Sequence, residues 1–402
     1  MDALLPEREI ALGSNRSVMR ELFEYGKQRA AVIGAENVFD YSIGNPSVPP
    51  PPCVNDCLRA LLNGPQADAI HAYTSAQGDA ACREKLAQSL NARFDAAARA
   101  DDLYLTVGAA ASLTITFHAL CLPGDEFILL APYFAEYRVF LEGAGAKVVA
   151  VMTDAETFQP DMEALRRAIG PHTKGIVINT PNNPTGVVYT REVLTALAGL
   201  LREKEQEYGH AIYLITDEPY RELVFDGHTT TWVPQLYADT IVCYSYSKSL
   251  SLPGERIGYI FVPQAAAGHD RLYAAICGAG RKLGFVNAPA LFQRVAAECD
   301  GQTADISVYQ TNARLLYDGL TQLGFTCVQP QGTFYLFLKA PTADAAAFCE
   351  KARAFDLLLV PADSFCCPGW VRIAFCVPTE KLRRSLPAFA RLAAACGLTT
   401  AP

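Results

Sequence analysis

Residues 211–220 read AIYLITDEPY, an apolar and partly β-branched run that stops abruptly on two carboxylates and a proline. A short, continuously apolar run with polar ends reads as a strand buried on both faces. Similar runs flank it along the chain. Upstream lie LYLTV (103–107), EFILL (126–130), KVVAVM (147–152) and GIVINT (175–180); downstream lie TIVCYSY (240–246) and IGYIFV (257–262). Helical patterns separate these runs, one of them starting near Ala109. The alternation predicts an α/β fold with a mostly parallel seven-stranded sheet sandwiched by helices. Ligands of such sheets gather at the carboxyl ends of the strands, which is where Asp217 falls.

Beyond about residue 292 the character changes to helix, then the strand TFYLFLK (333–339), an alanine-rich helix, the strand WVRIAF (370–375) and a final helix. This predicts a large domain over 46–292 and a smaller α+β domain from 293–402, completed by 1–45. The run Pro49 to Pro52 reads as a stiff, extended connector.

A chain of 402 residues, 50% apolar and 19% charged, can bury a large core. Its net charge of −8 supplies no basic face, so small molecules rather than nucleic acid or an anionic membrane are the expected partners. No run approaches the roughly 18 apolar residues of a membrane helix, and charges interrupt the first thirty residues, so no secretory signal is expected. Thirteen cysteines, an odd number, suit reduced thiols in the cytoplasm. Cys53 with Cys57, and Cys366 with Cys367, lack the paired spacing of a zinc site, so no metal is expected.

Asp217 taken alone is a carboxylate at a strand end, and a helix cap explains it as well as chemistry does. Lys248 changes that reading. It closes the next apolar strand between Ser247 and Ser249, with Arg256 shortly after. A lysine at the ligand-bearing edge of a sheet can be desolvated into a nucleophilic amine.

Five elements in order give the chain its resemblance: GAAAS (108–112), NNPTG (182–186), DEPY (217–220), SYSKSLSLPGERIGY (245–259) and VRIAF (371–375). From about Tyr41 to Phe375 it resembles the class I and II aminotransferases of the fold type I pyridoxal phosphate (PLP) enzymes. The resemblance implies that Lys248 holds PLP as a Schiff base and carries the proton during transamination. It also implies that Asp217 pairs with the ring nitrogen, and that Asn183 and Tyr220 donate to the phenolic oxygen. By themselves Asn183 is a turn asparagine and Tyr220 a core tyrosine. Gly108, Ala109 and Ala110 open a helix whose amide groups can receive the phosphate, with Ser245, Ser247 and Arg256 as further donors. Phe134 matches the ring stacked on the pyridine, or Tyr133 if the register slips by one. Arg372 and Gly44, with Asn183, would meet the substrate, Arg372 taking the α-carboxylate. Tyr73 resembles the tyrosine that reaches the neighbouring subunit's phosphate, implying a homodimer with shared sites.

The resemblance thus implies ping-pong transfer of an amino group from an L-amino acid to a 2-oxo acid. The same residues would serve a β-eliminating carbon–sulfur lyase. A non-catalytic PLP-sensing regulator is expected to carry a DNA-binding domain, for which there is little room before Tyr41. Bacterial aspartate-specific relatives often have a lysine within the GAAAS element, where this chain has Ala110. Arg281 and Lys282 fall near a segment that sends an arginine across the dimer in other members. Aspartate or glutamate alongside small neutral donors is therefore the expected substrate range.

Overall fold

The computed structural model describes residues 5–14 and 18–399, which divide into two compact units. The larger comprises Pro46–Gln310 with Pro330–Thr333. Seven strands form its sheet: β1 (Leu103–Thr106), β2 (Glu126–Ala131), β3 (Lys147–Met152), β4 (Thr173–Asn179), β5 (Tyr213–Asp217), β6 (Thr240–Ser245) and β7 (Gly258–Phe261). Their order is β1-β7-β6-β5-β4-β2-β3, and only β7 runs against its neighbours. All seven expected strands are present, so the mostly parallel α/β sheet is borne out. Every residue of β1, β6 and β7 is buried, as both-face coverage demands.

The helices that matter for the site are α1 (Ala80–Phe94), α2 (Ala109–Leu120), α3 (Glu136–Gly143), the single turn α4 (Tyr246–Ser249), α5 (His269–Leu283) and α6 (Ala290–Cys299). α2 is apolar almost all round, with Leu113, Ile115, Phe117 and Leu120 buried. It packs on α5, on α3 and on β6 and β7. On the other side, Leu86 and Leu90 of α1 join Leu103, Leu105, Tyr244, Phe261 and Val295 in one core cluster. Both leucines are at most 1% exposed, and truncating either to alanine would cost about 2–5 kcal/mol.

The expected domain boundary at 292/293 is corrected by this packing. α6 lies on α1 and on the helix Pro52–Asn63, inside the larger unit, which extends to Gln310. The switch to helical sequence near 290 therefore marks one more covering helix of the large sheet rather than a new domain.

The smaller unit takes Met1–Asn45, Thr311–Gln329 and Phe334–Pro402. Its four-stranded antiparallel sheet runs β10-β11-β9-β8, with β8 (Thr326–Val328), β9 (Tyr335–Lys339), β10 (Val360–Pro361) and β11 (Trp370–Ala374). The strand expected from 333 starts at Tyr335, because Thr333 takes a left-handed conformation with φ 65° and bonds Leu223 of the larger unit's own chain segment. β8 and β10 are two or three residues long, too short for a periodicity to show.

Candidate active site

Parallel strands of equal register carry their last residues to one edge. Asn179 ends β4, Asp217 ends β5 and Ser245 ends β6, and Asn179 is the direct neighbour of Asp217. Asp217 is 5% exposed. Its Oδ2 accepts the hydroxyl of Tyr137, on α3, at 2.5 Å. Its Oδ1 is buried and has no partner among the described residues. Burial pushes the carboxyl up to about 7, and Glu218 adds to this, against the lowering effect of the Tyr137 hydrogen bond. Tyr137 is itself held well above the usual phenol range by burial and then by Asp217, so it remains the donor.

Asn179 ties the next element to the same place. Its Nδ2 donates to the Asp217 carbonyl at 2.8 Å, and its Oδ1 accepts the Asn183 N–H at 2.7 Å. The turn beyond is closed by Asn182, whose Oδ1 accepts from the N–H and hydroxyl of Thr185 at 3.1 and 2.8 Å. Tyr220, 4% exposed, follows Asp217 on the loop leaving β5.

Lys248 lies in α4, partly buried, one residue after Ser247. Ser245 caps that turn by accepting the Ser247 N–H at 3.2 Å, and the two hydroxyls lie 2.8 Å apart. Arg256, with φ 51°, donates to Ser247 Oγ at 3.3 Å and to the Pro253 carbonyl at 3.0 Å. Gly108 approaches from β1 with φ 89°, and a Cβ there would sit 2.7 Å from Arg256 Nη2. Gly258 makes the approach possible: it pairs with both Thr106 and Ser245, and a Cβ on it would collide with the Tyr244 carbonyl. Ser112 then bonds Thr106 at 2.7 Å, fixing the first turn of α2, which begins with Ala109 and Ala110. Amide ends, a guanidinium and two hydroxyls thus converge, an arrangement suited to a dianion.

Phe134 is partly buried and meets Tyr137 edge to face at 5.5 Å. Tyr133 is 3% exposed and accepts from Arg138 Nε at 3.4 Å. Tyr73 is 96% exposed on the segment before α1. Arg281 and Lys282 are exposed at the last turn of α5.

In the smaller unit, Arg372 lies at the centre of β11, paired with Phe337 and Val360, and is 2% exposed. Its guanidinium donates to the Ser42 carbonyl at 2.6 Å and lies 4.6 Å from the Tyr335 ring centre and 5.0 Å from that of Phe365. Gly44, two residues beyond Ser42, has no room for a side chain against Tyr335 and Phe334.

Tyr137, Asn179 and Gly258 carry the site without having been singled out in the sequence. Asn179 bears the signal that marked Asp217, a polar residue closing an apolar strand. Tyr137 carries no such mark.

The profile described as aminotransferase class I and II matches residues 36–389. The chain belongs to this family. An aspartate/prephenate aminotransferase of Thermus thermophilus is 32% identical over 87% of this chain and 89% of that protein. An aspartate aminotransferase of Thermotoga maritima is 30% identical over 90% and 92%. Among solved structures, an amino transferase of Eubacterium rectale shares 52% identity with a TM-score of 0.95, covering 98% of this chain and 99% of that one. The chain is an aminotransferase, and the lyase alternative is not favoured. The class I and II aminotransferases use PLP. The residues present suit that group: the buried Asp217 Oδ1 lacks a partner, and the space at Gly108 beside Arg256 is one that a Cβ would fill. No group of three metal-ligating side chains occurs among the described residues, nor any helix long and apolar enough to cross a membrane.

Proposed function

We propose that this aminotransferase binds PLP at the carboxyl edge of its large sheet and moves amino groups from aspartate, glutamate and small neutral L-amino acids to 2-oxo acids. The observation that carries the reading is the buried, unpartnered Oδ1 of Asp217. A carboxylate is costly there without a cation, and a pyridinium N–H is the partner the family supplies. When bound, PLP provides an electron sink for bonds broken at the substrate α-carbon.

The chain's own residues do the rest. Asp217 keeps the ring nitrogen protonated, and Tyr137 holds Asp217 in line. Lys248 Nζ would hold the cofactor covalently and would serve as the base that carries the proton from the substrate α-carbon. Asn183 and Tyr220 donate to the phenolic oxygen. Gly108, Ala109, Ala110, Ser245, Ser247 and Arg256 would hold the phosphate, and Phe134 would supply the aromatic contact to the pyridine ring. Arg372, with Gly44, takes the α-carboxylate in the forked geometry that suits guanidinium.

Ala110 brings no charge to a distal carboxylate, which supports a mixed donor range. A panel of amino acids mixed with the PLP-loaded enzyme is expected to show acidic and small neutral donors alike converting the cofactor to its amine form. Arg372→Ala should raise the KM of every donor about a hundredfold, the worth of a buried charged contact. Conversion by acidic donors alone, abolished by Arg281→Ala, overturns the mixed range.

We also propose a homodimer with shared sites, in the cytoplasm. Tyr73 stands 96% exposed, an unusual state for a tyrosine with work to do within its own chain. Mixing inactive Lys248→Ala chains with Tyr73→Phe chains should yield hybrid dimers in which one site is intact at both positions. A fully active monomer in sedimentation contradicts this. All thirteen cysteines are free, which suits a reducing compartment.

A further inference from the structure

The turn that carries Lys248 is tied down on both sides by one buried polar network. Tyr246, two residues before the lysine, donates its hydroxyl to Asp300 Oδ1 at 2.7 Å. Ser249, the residue after it, lies 2.8 Å from the hydroxyl of Tyr244, which in turn donates to Glu222 Oε2 at 2.8 Å. Arg93, in the last turn of α1, joins the two carboxylates: Nη2 meets Glu222 Oε1 at 2.7 Å and Nη1 meets Asp300 Oδ2 at 3.2 Å. Ser89 donates to Asp300 Oδ2 at 2.6 Å, and the Ser249 carbonyl accepts the Ala304 N–H at 2.7 Å.

These carboxylates are expensive to bury. The side chain of Asp300 is 1% exposed and that of Glu222 is 9%, and a chain segment remote from α1 had to be brought to them. Packing alone does not require such an arrangement, because well-fitted apolar residues of similar volume stabilise a core at least as well. What the network adds is direction. Burial, and then the adjacent carboxylates, hold the Tyr246 and Tyr244 phenols well above their usual range, so both remain donors. Each carboxylate can then accept in one orientation only, because Arg93 occupies its other oxygen.

We propose that Arg93, through Asp300 and Glu222, is a positioning residue for Lys248: it clamps the residues on both sides of the lysine, so that α4 presents the amine at one fixed place. The proposal rests on the assignment of Lys248 as the amine that bonds PLP.

The test uses Tyr246→Phe, which keeps the ring and deletes one hydroxyl, Arg93→Met, and the double variant. Cofactor-free protein is mixed with PLP and the growth of the visible band is timed; the loaded enzyme is then followed through a single donor half-reaction. Each single variant is expected to slow band growth and the half-reaction rate constant about tenfold, the worth of a hydrogen bond to a charged group, with donor affinity within about twofold. The double variant should be no slower than the slower single, because both act through Asp300. Multiplying effects, or a lowered Tm with both rates unchanged, overturn the proposal. The two failures separate cleanly. If wild-type protein forms no band that Lys248→Ala abolishes, the cofactor assignment itself is wrong; if it does and both variants match it, only the clamp is wrong.

Discussion

Lys248→Ala, prepared without cofactor and then mixed with PLP, is expected to show no visible absorbance of a protein-linked cofactor and essentially no turnover. No other lysine is presented by a turn that Ser245 caps and that Arg256 touches through Ser247. Two functions are lost together, the covalent anchor and the proton carrier, so the loss is larger than that of one hydrogen bond. The phosphate cradle is untouched by the substitution, and PLP should still bind without covalent attachment, competing with inorganic phosphate. The check is borohydride reduction followed by peptide mapping: a reduced adduct on a different lysine removes Lys248 from its role.

Asp217→Ala should keep the Lys248 linkage and lose about a thousandfold in the proton-transfer step, since removing a buried counter-charge costs several kcal/mol and about 1.4 kcal/mol is tenfold in rate. A variant within tenfold of wild type would exclude the pairing with the ring nitrogen. The same residue gives the cofactor-free protein a pH dependence. Burial raises its carboxyl to about 7 from the ordinary 3.8. Its stability contribution is therefore fully present below about pH 4 and is lost as pH rises through about 7, a change of a few kcal/mol. Asp217→Asn mimics the protonated form and should lack this slope. Urea midpoints of the two cofactor-free proteins at pH 5 and pH 7.5 check the sign: wild type should lose ground to the variant over that interval.

The sheet could be read from the chain because most of its strands are buried on both faces, a condition that writes itself as a continuous apolar run such as FILL or TIVCYS. The edge strand β3 is largely exposed and was legible from its β-branched run KVVAVM alone. The small unit was harder. β8 and β10 are held by pairing to β9 and β11 rather than by any pattern of their own. The boundary misread at 292 has a similar cause. α6 carries an ordinary amphipathic pattern, and nothing local says which sheet its apolar face will cover.

Sequence by itself singled out the residues for which we propose cofactor chemistry near the strand ends: Lys248, Asp217, Arg256 and the glycine of GAAAS. Such residues interrupt apolar runs at a cost, and the interruption is visible in one dimension. Tertiary structure alone decided what surrounds them. Tyr137 is 80 positions from Asp217, Asp300 is 54 from Tyr246 and Arg93 is 129 from Glu222. The physical reason is that a buried charge is satisfied by whichever donor the packing of helices on the sheet brings within about 3 Å, and that choice is made by the layers, not by the neighbours in the chain.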